Sequence, residues 1–430
     1  MQLFPQFAAP QPWLASVAAL LTPRRLRAHA TLLAVCLWGI CIIDFSTPGQ
    51  FDRAGNIKFQ DFLPTYISAR LIAEGRSSEL YNQQVIANEL KRVIPQGQPH
   101  QPTHLTLPNL YGPQFGLLFV PLSRFSFSMA ARIWVATSLL LYFACIYLIW
   151  KSCPTLLPHR GLVSIAALAF PPLFHFFVRG QNSVLVLAFF TAAFLAFRAD
   201  RNWLAGIALG FLIFKPQFIV AIPLVLLLAH SWRAFAGLVL SAAAQLALTR
   251  IYFGPAVMRS YFDMLVHIQR LIDAAELSHA PIQMHSLRSF WSLLVPAPEA
   301  ALALYVLSSI VIVAIAAAAW RSSAPLALRF SALTLAAVLV NPHLFVYDLL
   351  VLAPALLLIL DWTLTFPQHR STPALRLLAY LAFLLPLFGP LSHWTHLQLS
   401  VLVFTALLWA LWRDFATPSH KLASNESAVV

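Results

Sequence analysis

Charge is scarce in this sequence. Only 10% of its 430 residues are Asp, Glu, Lys or Arg, and just 15 of these are acids. With 60% hydrophobic residues and a mean hydropathy of +0.75, polar side chains are too few to cover a water-facing surface. That excludes a soluble globular protein and makes lipid the solvent. The basic excess, 28 Lys and Arg giving a net charge of +13, would suggest nucleic acid in a soluble chain. Here it lies in short loops between apolar runs, where it reads as inner-leaflet loop charge and excludes a nucleic-acid partner. Cysteine is scarce too: three of Cys36, Cys41, Cys145 and Cys153 lie in apolar runs, where the thiol packs as a small hydrophobe and points neither to disulfides nor to a metal. His285 and His343 have no HxxxH or carboxylate spacing, so no metal and no cofactor is expected. The N-terminus to about Leu21 lacks the basic region of a cleavable signal peptide and reads as a short tail or surface helix. The two halves show no internal repeat, which weighs against a transporter.

Apolar runs near span length recur from Ala30 to Trp412. Arg24, Arg25 and Arg27 precede the first, 30–45, and place the N-terminus in the cytoplasm. Further runs at about 130–150, 161–177, 181–197, 203–214, 217–230, 234–250, 300–320, 326–340, 344–361, 375–390 and 396–412 bring the expected total to about twelve spans. Pro171-Pro172 and Pro216 mark broken or tilted ends. The expected organisation is a cytoplasmic tail 1–29, a membrane domain 30–412 and a cytoplasmic tail 413–430, with a long extracytoplasmic loop at 47–129. Within that loop, IPQGQPHQPTH reads as irregular structure. The apolar stretch 115–122 is too short to span, so Tyr111–Phe125 reads as a re-entrant or interfacial hairpin.

In this topology the polar interruptions collect on the outer face: Asp61, Tyr111-Gly-Pro113, Arg179-Gly-Gln-Asn182, Lys215-Pro216, the loop 251–299 and Asn341-Pro-His343. Polar groups among apolar spans are costly unless satisfied, and their collection on one face argues for a shared cavity. Asp61 heads a moderately amphipathic segment (Leu63, Tyr66, Ile67, Leu71, Ile72) that ends near Gly75 and reads as a helix along the bilayer surface. Its carboxylate is either a general base or the N-cap of that helix. Arg179 and Lys215 are either anion ligands or snorkelling cations. Gly180-Gln181-Asn182 is otherwise a tight turn, and Asp348, one turn into a span, needs a partner or water.

The ordered stretches DFLPTYISARLIAEG…LY (61–81), YGPQFGLLFVPL (111–122), RGQNSVLVLAFFTAAFLAFRADRNWLAGIALGFLIFKPQ (179–217), MHSLRSF (284–290) and NPHLFVYDLLVLAPAL (341–356) together resemble glycosyltransferase family 87, which includes polyprenyl-phosphate-mannose-dependent mannosyltransferases. The resemblance implies an all-α, polytopic C-type glycosyltransferase (GT-C) fold of the bacterial plasma membrane. Its active site would face the extracytoplasmic side, and a hexosyl residue would pass from a polyprenyl-phosphate-linked sugar donor to a lipid or glycan acceptor. Asp61 matches the family's catalytic Asp, and His343 lies where the mannosyltransferases place an active-site His. Arg179, Lys215 and Arg288 would hold the donor phosphate; Tyr66, Tyr111, Gln181, Asn182, Gln217, His285, Asn341 and Asp348 would line the substrate cavity, among membrane lipids. Only Tyr66 remains of the aromatic pair that usually follows the Asp, and 341–348 ends in Tyr-Asp where the mannosyltransferases are His-rich. The alternatives are a lipid-linked-sugar flippase or transporter and a non-catalytic assembly partner.

Overall fold

A computed structural model describes residues 12–94, 108–267 and 282–415. The Pro/Gln/His-rich patch, the middle of the loop 251–299 and the far ends of both tails lie outside the described residues. Those described form an all-helical protein without strands; Phe51 with Ile57 and Met284 with Phe345 are isolated bridges.

Among the described residues six helices are long and apolar enough to cross a membrane: Pro23–Phe45, Phe127–Trp150, Trp232–Val266, Pro298–Arg321, Val346–Thr365 and Thr372–Thr395. A bent pair, Pro154–Leu168 with Pro171–Arg179, makes a seventh if taken as one span, with a 46° break between its halves. Five more apolar helices are shorter: Ser183–Arg198, Asn202–Phe214, Pro216–Leu228, Leu326–Leu339 and Leu399–Arg413. The breaks follow from composition. Pro216 has no N–H to continue a helix and restricts Lys215, whose backbone turns out of helical geometry at φ −128°, ψ 71°. Trp232–Val266 is interrupted at Gly254 (φ 83°, ψ 166°), just before Pro255. Thr22 caps the first long helix by accepting a hydrogen bond from Arg25 N at 3.3 Å, with Pro23 in its first turn.

Burial separates the lipid-facing elements from the central ones. Ile42, Leu140 and Ile251 are 70%, 74% and 79% exposed, as lipid-facing side chains are. Leu326–Leu339 is apolar on all faces and buried along most of its length, and Phe330 packs against Phe194 at 5.2 Å between ring centroids. Asn202–Gly210 and Trp232–Val266 cross on small residues: a methyl group on Gly206 would fall 2.0 Å from Ala234 O, and one on Gly237 would fall 2.5 Å from Trp203 O.

The described residues between the first two long helices fold back onto this bundle. Helix Leu63–Ala73 does not lie half exposed along a surface as its spacing suggests: Leu63 to Ala69 and Leu71 are all buried. Gly116 packs against Ile72 and Ser68, and Phe119 against Phe62 at 5.6 Å, so the second half of the loop covers the face the pattern would leave open. Tyr111–Phe125 forms two five-residue helices, Pro113–Leu117 and Val120–Arg124, each far too short to span.

An ion-pair cluster ties the end of Leu63–Ala73 to helix Gln83–Val93. Arg76 reaches Glu74 at 2.9 Å, Glu79 at 2.8 Å and Glu89 at 2.9 Å, and Arg92 also meets Glu89 at 2.9 Å. Hydrogen bonds from Arg76 hold the Glu74 and Glu79 carboxyls below their ordinary value of 4.5. A carboxylate depressed in the folded state stabilises above its unfolded pKa and loses that contribution as pH falls through its folded pKa. Hydrogen-exchange protection factors for 63–93 are therefore expected to be constant near neutral pH and to fall below about pH 4. Protection independent of pH down to about 2 would mean that the cluster contributes nothing.

Candidate active site

Asp61 sits in the 3-10 turn Gln60–Phe62, entered through Phe59 in a left-handed conformation at φ 60°. The following helix has no side-chain cap; its N-cap position is Phe62. The capping role open to Asp61 on sequence grounds is therefore not the one it takes. Its carboxylate instead accepts a hydrogen bond from Gln181 Nε2 at 2.8 Å and faces Arg179 Nη1 at 3.8 Å, with the Asp61 side chain 17% exposed.

Both partners come from the turn between Pro171–Arg179 and Ser183–Arg198. Gly180 ends the first helix at φ 69°, its N–H bonding Phe176 O at 3.0 Å. Trp134 fixes this turn to the Asp61 segment: its indole N–H donates to Gln181 O at 3.3 Å, and its ring stacks on Phe62 at 6.1 Å. Residues adjacent to the acid and to its partner thus rest on one aromatic side chain.

Two residues past Gln181 a second polar centre begins. Ser183 Oγ donates to Asp348 Oδ1 at 2.6 Å, while Lys215 Nζ donates to Ser183 Oγ at 3.1 Å and pairs directly with Asp348. All three residues are buried, and Lys215 also lies 5.6 Å from the centre of the Tyr347 ring. Phe345 N–H reaches the other Asp348 oxygen at 3.4 Å. Tyr347 is close enough to Asp61, Asp348 and Arg179 to feel their charges, so the two acids border one site. Burial pushes the Tyr111 phenol up, and the charges of Asp348 and Asp61 push it further. It therefore stays protonated and able to donate a hydrogen bond.

The profile of glycosyltransferase family 87 matches residues 109–342, more than half of the chain. The chain belongs to that family. No curated protein and no solved structure matches it. The family makes this an integral membrane glycosyltransferase, with a sugar donor and an acceptor as substrates. Asp61 lies ahead of the matched region, and its contact with Gln181 carries it to that region.

The glycosyltransferase does not bring every expected residue to this site in the same way. Asn341 is buried and accepts His343 N–H at 2.9 Å, leaving its own Nδ2 without a partner. The His343 ring lies edge-on to Phe345 at 4.9 Å and within electrostatic reach of Asp348 and Lys215. Asn182 is buried with Oδ1 unpaired, and Gln217 is half-buried beside Pro216. Tyr66 points elsewhere: its hydroxyl donates to Phe125 O at 2.7 Å and its ring packs on Phe127 at 5.6 Å. His285 uses its backbone N–H to bond Leu344 O at 2.9 Å, while its Nδ1 meets Ser400 Oγ at 2.7 Å. It braces the 341–348 segment rather than facing Asp61. Arg288 lies 5.9 Å over the Tyr305 ring with Nη1 buried and unpaired, and Tyr305 in turn donates to Val340 O at 2.7 Å. Among the described residues no three or more His, Cys, Asp or Glu side chains group as metal ligands.

The Lys215–Asp348 pair and the Trp134 anchor escaped the sequence reading. The pair had a signal, since an acid and a lysine each set in an apolar run both need a partner. Trp134 had none.

Proposed function

We propose that this glycosyltransferase moves a hexosyl residue, mannosyl by resemblance, from a polyprenyl-phosphate donor to a hydroxyl of a lipid or glycan acceptor, with Asp61 as general base. The observation that carries the reading is that the Asp61 carboxylate makes no capping bond and is presented, partly exposed, by Gln181 and Arg179. The acceptor oxygen attacks the anomeric carbon as Asp61 takes its proton, and the bond from that carbon to the phosphate oxygen breaks. The phosphate leaves as an anion without needing a proton, so one carboxylate suffices where a glycosidase needs two. Arg179 and Arg288 stabilise the leaving phosphate, since guanidinium forks suit its oxygens. His343 lies within electrostatic reach of Asp348 and Lys215 at the same site.

The membrane arrangement belongs to the same proposal. The five shorter apolar helices cross together with the long ones, giving about twelve spans in a GT-C fold. Both tails face the cytoplasm, and the loop 47–129 lies on the extracytoplasmic side of a bacterial plasma membrane.

The test is chemical. Membranes containing the protein, supplied with a polyprenyl-phosphate mannose, are expected to consume it and to accumulate free polyprenyl phosphate and a mannosylated product. Donor that changes leaflet without losing its sugar would identify a flippase instead. Arg179→Gln is expected to weaken donor binding about tenfold, the lower end for a charge-assisted phosphate contact of about 1.5 kcal/mol, because its side chain is 40% exposed. Unchanged donor affinity in the folded variant would leave Arg179 as a snorkelling cation.

A further inference from the structure

The buried centre formed by Lys215, Asp348 and Ser183 has no place in the reaction as proposed. Its residues come from three separate points where the backbone leaves a helix: the Gly-Gln-Asn turn, the Lys-Pro break and the segment after Asn-Pro-His. Lys215 and Asp348 are 3% and 1% exposed. Lys215 spends one donor on Asp348 and another on Ser183 Oγ, and its ammonium also lies over the Tyr347 ring. A lysine already neutralised by a carboxylate offers little net charge to a phosphate, and a phosphate drawn to it would sit against Asp348. Ser183, however, is two residues from the Gln181 that holds Asp61.

From this geometry we infer that Lys215, Asp348 and Ser183 form an ion-paired lock that fixes the Gly-Gln-Asn turn and so aims Asp61: positioning residues, with Lys215 holding Asp348 rather than donor phosphate. The inference rests on the glycosyltransferase reading above and assigns the broken Lys-Pro segment a task within it. Removing one partner of a buried pair leaves an uncompensated charge, whereas removing both does not. That asymmetry separates a lock from a ligand.

The experiment compares full-length Lys215→Met, Asp348→Asn, the double variant and Ser183→Ala in detergent or nanodiscs. Thermal unfolding is read alongside kcat and KM for a polyprenyl-phosphate mannose. Each charge variant is expected to lower the unfolding temperature and to cut kcat at least about tenfold, a modest share of the ~100-fold that an ångström of misplacement costs. Donor KM is expected to stay within about threefold, on the scale where tenfold is 1.4 kcal/mol. The double variant recovers most of both losses. Ser183→Ala keeps the ion pair but cuts the tie to the turn, so it lowers kcat by about three- to tenfold with donor KM unchanged.

A Lys215→Met protein whose donor KM rises tenfold or more, with no recovery in the double variant, would make Lys215 a phosphate ligand and overturn the lock. So would a double variant no more stable than the worse single, or a Ser183→Ala protein with normal kcat. If the wild-type protein does not turn over the mannosyl donor, the reaction proposed above fails for that sugar. The four-protein unfolding cycle still decides whether residues 215 and 348 are coupled.

Discussion

Replacing Asp61 with Asn is expected to lower turnover about 10²–10⁴-fold, the range for losing a general base. Fold and donor affinity are expected to survive. Asn keeps the size of the side chain, and no helix cap is at stake because the Asp61 carboxylate makes none. Gln181 can still donate its amide hydrogen to the Asn carbonyl, so the 2.8 Å contact persists. What disappears is the basic oxygen. Since donor binding and chemistry are affected differently, kcat should fall while donor KM stays within about threefold, the signature of an interaction made in the transition state. Near-normal transfer by a folded Asp61→Asn protein would end the assignment and shift attention to His343 and Asp348.

The site depends on helix breaks. Within a membrane an irregular backbone is tolerated only where its freed groups are satisfied by protein or line a cavity. The 341–348 break does this with its own polar side chains: Asn341 Oδ1 takes His343 N–H at 2.9 Å, and Asp348 reaches back to Phe345 N–H at 3.4 Å. Helices such as Leu326–Leu339 can be short because they are enclosed by other helices.

What could be read from the sequence follows the range of the interactions. The apolar runs and the proline breaks are local, and Pro216 or Pro171 end helices where their missing N–H requires it. Asp61 and the Gly-Gln-Asn turn stood out because polar residues among apolar runs need a reason to be there. Their contact was not, since Asp61 and Gln181 are 120 residues apart. Lys215 and Asp348, 133 residues apart, posed the same difficulty: each was visible as a charge needing a partner, but the partnership is a product of packing. Helix Leu63–Ala73 shows the limit of periodicity. Its pattern describes one apolar face, but the later half of the same loop covers the other. Tyr66 therefore points to Phe125, 59 residues on in the same loop.

Gly180→Ala is expected to lower turnover about 100-fold, because it places a methyl group between the turn that bears Gln181 and the segment that bears Asp61. Two effects combine. At φ 69° an alanine is in the left-handed region, which costs about 1–2 kcal/mol. The new Cβ would also lie 2.8 Å from Phe59 Cβ, 3.2 Å from Phe59 Cα and 3.3 Å from Phe59 O. Phe59 cannot easily retreat, since its ring packs at 5.2 Å on Phe45 and at 6.0 Å on Phe177. The strain therefore moves into Gln60–Phe62 or into Gln181, and either shift breaks the alignment of Asp61 with its partner. Gly75→Ala supplies the control. Its φ of 72° carries the same left-handed penalty, but a methyl group there meets nothing within 4 Å. The Gly75 variant is expected to lose about 1–2 kcal/mol of stability with turnover near that of the parent protein. The Gly180 variant should lose at least as much stability and most of its activity. If the two variants lose stability equally and both retain turnover, the close approach of Gly180 to Phe59 does not position Asp61.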